Sequence, residues 1–224
     1  MKNSKVKAWL WFSSGIIVIA LAIFISAGTL NYWRGWVFIF FAAVSSIPLT
    51  VYIAKDPILL ENRTKGGPFA EQRSVQKIII MCVLFSAIAT YIVPGMDHRF
   101  GWSRVPLWLS VAGNILVIVG IWISYKVFRV NSFGSATIEI AKNQRVISTG
   151  PYAIVRNPMY SGASVFLIGM TLALGSYWGL IPAVLTIFGL IWRLLDEEKF
   201  LADNLPGYPE YCLKVRRHLI PGIF

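Results

Sequence analysis

Arg193 and Glu197 stand four residues apart, with Asp196 and Glu198 beside them. On a helix that spacing puts both side chains on one face. Two uses are open to such a pair. They can form an i,i+4 salt bridge, worth ~0.3–0.5 kcal/mol at a surface. They can instead clamp a zwitterion, with a carboxylate on the ammonium and the planar guanidinium fork on a carboxylate. Asp196 and Glu198 compete with Glu197 for the acidic role. A second strip lies upstream, Gln144-Arg145-Val146-Ile147, then Gly150-Pro151-Tyr152, then Arg156-Asn157-Pro158-Met159-Tyr160. Gln144–Ile147 can run extended, because β-branched residues favour that conformation, and Gly150-Pro151 reads as a turn. Asn157-Pro158 reads as a helix start, Asn as cap and Pro at the first helical position. Its free N–H groups suit a polar or anionic ligand. The plainer alternative is that Asn157 only caps its own helix.

The elements that must position these groups follow from the distribution of charge. The 224-residue chain is 56% hydrophobic and only 14% charged, with mean hydropathy +0.64. Soluble domains carry nearer 25% charge. Five stretches lack Asp, Glu, Lys and Arg: Ala8–Trp33, Gly35–Ala54, Ile78–Met96, Val105–Tyr125 and Asn157–Trp192. About 20 helical residues cross the hydrocarbon core, so each of the first four fits one crossing. The fifth is too long for one. Gly175-Ser176 offers a helix stop and a helix start, which gives a hairpin of two helices near Pro158–Leu174 and Tyr177–Leu195. The expected fold is therefore all-α and polytopic, with about six transmembrane helices, and the runs lack the alternation that a membrane barrel needs.

Six crossings put both termini on one side. All but Arg34, Arg99 and Arg104 of the 21 Lys and Arg residues then fall on that side, among them Lys65, Arg73, Lys142 and Arg145. The positive-inside rule makes it the cytoplasmic one. The same placement accounts for the net charge of +11 as topology and lipid-headgroup charge, and no nucleic-acid motif accompanies it. The first apolar run exceeds a signal-peptide core and is expected to stay as an uncleaved helix. Lys55–Lys77, with its Gly66-Gly67-Pro68 turn signal, reads as a connector or part of a lid. Asn114, alone in the fourth stretch, is expected to line a path to the site or to bond between helices. Cys82 and Cys212 suggest no disulfide and no thiolate metal site. His98 and His218 lie on opposite expected sides and cannot share a metal. No histidine is expected in the candidate site.

Gly150-Pro151-Tyr152, Val155-Arg156-Asn157-Pro158-Met159-Tyr160, Arg193 with Glu197-Glu198, and Gly207-Tyr208, Tyr211, Val215 and Pro221 together resemble the isoprenylcysteine carboxyl methyltransferase family and the related phospholipid methyltransferases. The resemblance runs from about Lys126 to the C-terminus. It divides the chain into N-terminal helices at 1–125 and a methyltransferase-like region at 126–224. It implies an integral membrane enzyme using S-adenosyl-L-methionine in a cytoplasm-facing pocket. The cofactor contacts it implies are Gln144, Arg145, Val146, Ile147, Tyr152, Asn157, Pro158, Met159, Tyr160 and Glu197, with Arg193 on the substrate carboxylate. Gln144 and Asn157 stand where the family usually has histidine. Both can donate and accept hydrogen bonds, but neither can become cationic.

A carboxylate acceptor needs no base, whereas an amine must lose a proton. Without a site histidine, a carboxylate on a lipid-like or lipid-attached acceptor is the expected substrate. A phospholipid or amine methyltransferase, or a catalytically silent membrane binding protein, are the alternatives. A transporter is disfavoured by the lack of repeated halves.

Overall fold

The computed structural model describes residues 2–64, 74–131 and 144–220. The sequence features at Lys65, Gly66-Gly67-Pro68, Arg73, Lys142 and Pro221 lie outside the described residues. The chain forms α1 (Lys2–Ala27), α2 (Trp33–Lys55), α3 (Pro57–Thr64), α4 (Ser74–Phe100), α5 (Leu107–Val130), α6 (Pro158–Ala173), α7 (Leu180–Asn204) and α8 (Tyr208–Lys214), with a 3-10 turn at Gly150–Ala153. No strand occurs among the described residues. Helices α1, α2, α4 and α5 are long and apolar enough to cross a membrane, and α6 is a shorter apolar helix. Their outward faces carry exposed Leu10, Ile17, Phe40, Phe85, Trp108 and Ile115, a surface suited to lipid rather than water. The protein is a multi-pass, all-helical membrane protein.

The helices alternate in direction, which sorts their ends. Ala8, Ile53, Ala54, Leu59, Leu60, Phe128 and Met159 pack together. The start of α1, the end of α2 with α3, the end of α5 and the start of α6 therefore share one end of the bundle. Two elements here are additional to the charge-pattern reading: α3 within the Lys55–Lys77 connector, and α8 in the tail.

At the other end the α6–α7 hairpin turns at Gly175, whose φ is +77°. Helix α7 begins at Leu180 rather than Tyr177 and runs past Leu195 through the acidic residues. Ser176 is the start signal by a longer reach than expected: its Oγ accepts from Gly179 N at 2.9 Å and donates to Asp97 at 2.5 Å. Asp97 also accepts from Ser103 N at 2.7 Å and Ser103 Oγ at 2.6 Å. Tyr32 donates its hydroxyl to Leu174 O, and Arg34 donates to Val105 O at 2.6 Å. These bonds fasten the hairpin turn to α2, α4 and the segment before α5. His98 lies here, stacked on Tyr32 at 4.0 Å between centroids.

Helices α5 and α6 run antiparallel with their backbones almost touching. A Cβ on Gly113 would lie 2.3 Å from Ala173 N and 2.6 Å from Gly169 O; one on Gly120 would lie 2.6 Å from Gly162 O. Small residues at such a seam let dispersion and backbone contacts replace the hydrophobic drive that lipid does not provide. Asn114, close to the seam, does not bond between helices as expected. Its Nδ2 donates to Ser110 O of its own helix at 2.9 Å, and among the described residues its buried Oδ1 has no partner.

Because backbone atoms cannot step aside, Gly113→Ala should destabilise the protein by about 1–3 kcal/mol through overpacking. Gly15→Ala, where nothing lies within 4 Å of the new Cβ, should be near neutral. Thermal unfolding of the detergent-solubilised variants reads both; equal midpoints would contradict the close seam.

Candidate functional site

The site is assembled where the start of α6 meets the polar end of α7. Asn157 occupies the cap position and Pro158 the first helical position, as the residue types suggest, but the Asn157 side chain makes no cap bond. It turns instead to α7, donating Nδ2 to Glu198 Oε1 at 2.5 Å. One turn on, Tyr160 donates its hydroxyl to Glu197 Oε2 at 2.7 Å. The strip and the acidic corner are thus in direct contact, and adjacent acids on α7 serve different residues of α6.

Arg193 is 9% exposed. Its Nη1 donates to Gln76 Oε1 at 3.0 Å. Gln76, fully buried on α4, donates its Nε2 to Asp196. The pattern of site residues in the sequence omits Gln76. Its signal was a polar side chain just inside the start of an apolar helix, where only a bonded amide is tolerated.

The tail supplies a third component. Arg156 N donates to Arg217 O at 2.8 Å and Asn157 N to His218 O at 2.9 Å, while Ser161 Oγ donates to Leu219 O at 2.6 Å. This short extended pairing lays His218 against α7, with Nδ1 2.9 Å from Glu198 Oε2. Arg156 Nε approaches Glu198 Oε1 at 3.3 Å, an ion-pair contact rather than an aligned hydrogen bond. The expectation of a site without histidine is therefore corrected. Sequence separation hides the backbone pairing of 156–157 with 217–218 that brings His218 to this corner.

Segment 144–147 has no regular structure. Val146 packs on Leu205, Tyr208 and Tyr211, and on the same segment Gln144 and Ile147 are half-buried while Arg145 is exposed. Tyr152 accepts from Asn131 Nδ2 at 2.7 Å, and its carbonyl accepts the Tyr211 hydroxyl at 2.7 Å. Pro158 is buried, and Met159 packs towards α2 and α3 rather than towards α7. Burial first, then the nearby charges of Glu198 and Glu197, push the Tyr208 phenol well above its ordinary value. Burial does the same for Tyr211. Both therefore stay protonated donors at neutral pH. The two cysteines are free, and among the described residues no His, Cys, Asp or Glu group could hold a metal ion.

Residues 108–206 match the family model of the phospholipid methyltransferases. The matched span begins at the start of α5, ahead of Lys126 where the motifs begin, and ends before α8; it holds the strip, the hairpin and the acidic corner. The match agrees with the resemblance carried by the motifs, and it supports a membrane methyltransferase acting on lipid-like substrates. No curated protein matches the chain.

Gln76→Leu keeps the volume but removes a buried partner of both Arg193 and Asp196. It should cost about 1–3 kcal/mol of stability, read as a lowered unfolding midpoint; an unchanged midpoint would remove Gln76 from the network.

Proposed function

We propose that the chain is an integral membrane methyltransferase that uses S-adenosyl-L-methionine and methylates a lipid-like or lipid-attached acceptor at the cytoplasmic face. The contact that carries this reading is Tyr160 to Glu197 at 2.7 Å, which joins the strip to the acidic corner at the end of the bundle where the polar segments gather. The donor set fits the cofactor. Glu197 suits its ammonium, Tyr152 and Tyr160 offer faces that attract a cation, and Gln144, Arg145, Val146, Ile147, Asn157 and Pro158 complete the strip that would hold it, with Met159 anchoring that strip from behind. The bound cofactor supplies an activated methyl group and a leaving group that departs neutral, so no acid is needed from the protein. The chain's own contribution is alignment, which is worth about 7–11 kcal/mol of barrier when complete. A site at the membrane boundary admits an apolar tail sideways, while a water-soluble cofactor enters from the aqueous side.

Arg193 supports a carboxylate as the reacting group, because its fork can hold one in two bonds. The amine reading gains from two observations. His218 lies in the site, which removes the argument from a missing base, and the matched family is that of the phospholipid methyltransferases.

The test incubates the full chain in lipid nanodiscs with methyl-labelled S-adenosylmethionine and a membrane lipid extract, then with defined carboxylate and amine lipids. Label should enter the lipid fraction, and the acceptor that takes it decides between the two readings. Arg193→Ala should lower acceptor use, and Glu197→Ala cofactor affinity, each about ten- to a hundredfold, the effect of one charged hydrogen bond. If wild type transfers no label, or both variants methylate normally, the assignment fails.

A further inference from the structure

We propose that His218 is a positioning residue of this site, acting through Glu198 on the start of α6; the inference rests on the methyltransferase reading above. The Glu198 side chain is only 10% exposed, and that of His218 is 24% exposed. A carboxylate so withdrawn from water must have its charge met by donors. Its Oε1 is met by Asn157 Nδ2 at 2.5 Å and by Arg156 at 3.3 Å. Its Oε2 is met by His218 Nδ1 at 2.9 Å. Arg156 Nη2 in turn lies against the His218 ring, 2.8 Å from Nδ1 and 2.5 Å from Nε2. The imidazole thus bridges the acid and the guanidinium, and its own place is set by the backbone bond from Asn157 N to His218 O.

The consequence reaches Glu197. Successive residues on a helix point about 100° apart, so the rotation of α7 that seats Glu198 between Arg156, Asn157 and His218 also aims Glu197 at Tyr160. One acid is bonded to the tail and to the residues that open α6, which leaves its neighbour to face the strip. A tail residue therefore sets the geometry of the cofactor strip without belonging to it.

The test measures S-adenosylhomocysteine binding by calorimetry on the full chain in nanodiscs, beside turnover and thermal unfolding. His218→Ala should weaken binding about tenfold, the loss of one hydrogen bond to a charged group. It should raise KM for the cofactor more than it lowers kcat. His218→Gln, whose amide can still donate to Glu198, should recover most of that loss. In a double-mutant cycle with Glu198→Gln, the two losses should not add. Wild-type binding by His218→Ala, no recovery by His218→Gln in a folded variant, or strict additivity would each overturn the proposal. Failure of the wild type itself to bind S-adenosylhomocysteine would instead overturn the methyltransferase reading, and this inference with it.

Discussion

Glu198 sets the terms for one end of this bundle. A carboxylate in a half-apolar boundary layer is stable only when donors replace the water it has lost. No single element supplies enough of them. Asn157 comes from the start of α6, Arg156 from the segment before it, and His218 from the tail. Meeting one charge therefore ties three stretches of chain to α7 and fixes their mutual orientation. The cost of leaving the acid unmet is what makes the arrangement specific: a shifted tail or a rotated α6 would strand a buried charge, which is far worse than losing a surface contact.

The opposite end repeats the device with different chemistry. Asp97 is buried and satisfied by Ser103 through both backbone and hydroxyl, and by Ser176 of the hairpin turn. Between these two fastenings, α5 and α6 are held by shape rather than charge. Gly113 opposite Gly169, and Gly120 opposite Gly162, bring the backbones so close that a single methyl group has nowhere to go. In lipid the apolar surfaces of two helices gain little by leaving the solvent, so close packing and bonded polar groups must hold the fold. The candidate site profits from both. The seam holds α6 against α5, and the bonded acid at its end sets where its first turn points.

What the sequence made legible, and what it concealed, divides along the same line. Charge-free stretches identified the long helices because the bilayer forbids unpaired charge over a fixed length, and that constraint is written locally. Gly175 and Ser176 marked the hairpin for the equally local reason of backbone conformation. Asn157, Tyr160 and Glu197 were marked by type and motif. Gln76 was not, since its role exists only through Arg193, a partner 117 residues away. His218 was hidden for the same reason: a backbone pairing between short irregular segments leaves no periodicity to read. The glycine seam is written at a spacing of seven in α5 and again in α6, but each half means nothing without the other. Asn114 shows the converse error. A lone polar residue in an apolar helix invites a partner across the bundle, yet its own preceding turn offered a carbonyl at 2.9 Å.

The pairing of Arg193 with Glu197 needs a different argument, because both of its uses satisfy the same spacing. A surface salt bridge places both heads in water, where they screen each other and gain little. Here Arg193 is nine-tenths buried and bonded to the amide of Gln76, while Glu197 receives the Tyr160 hydroxyl. Each head is thus engaged with a neutral side chain of a different helix. A neutral partner orients a charge without cancelling it. Gln76 and Tyr160 therefore hold a guanidinium and a carboxylate one helical turn apart at the polar end of α7. Two ordinary residues, one on α4 and one on α6, thus set the directions of both charged groups.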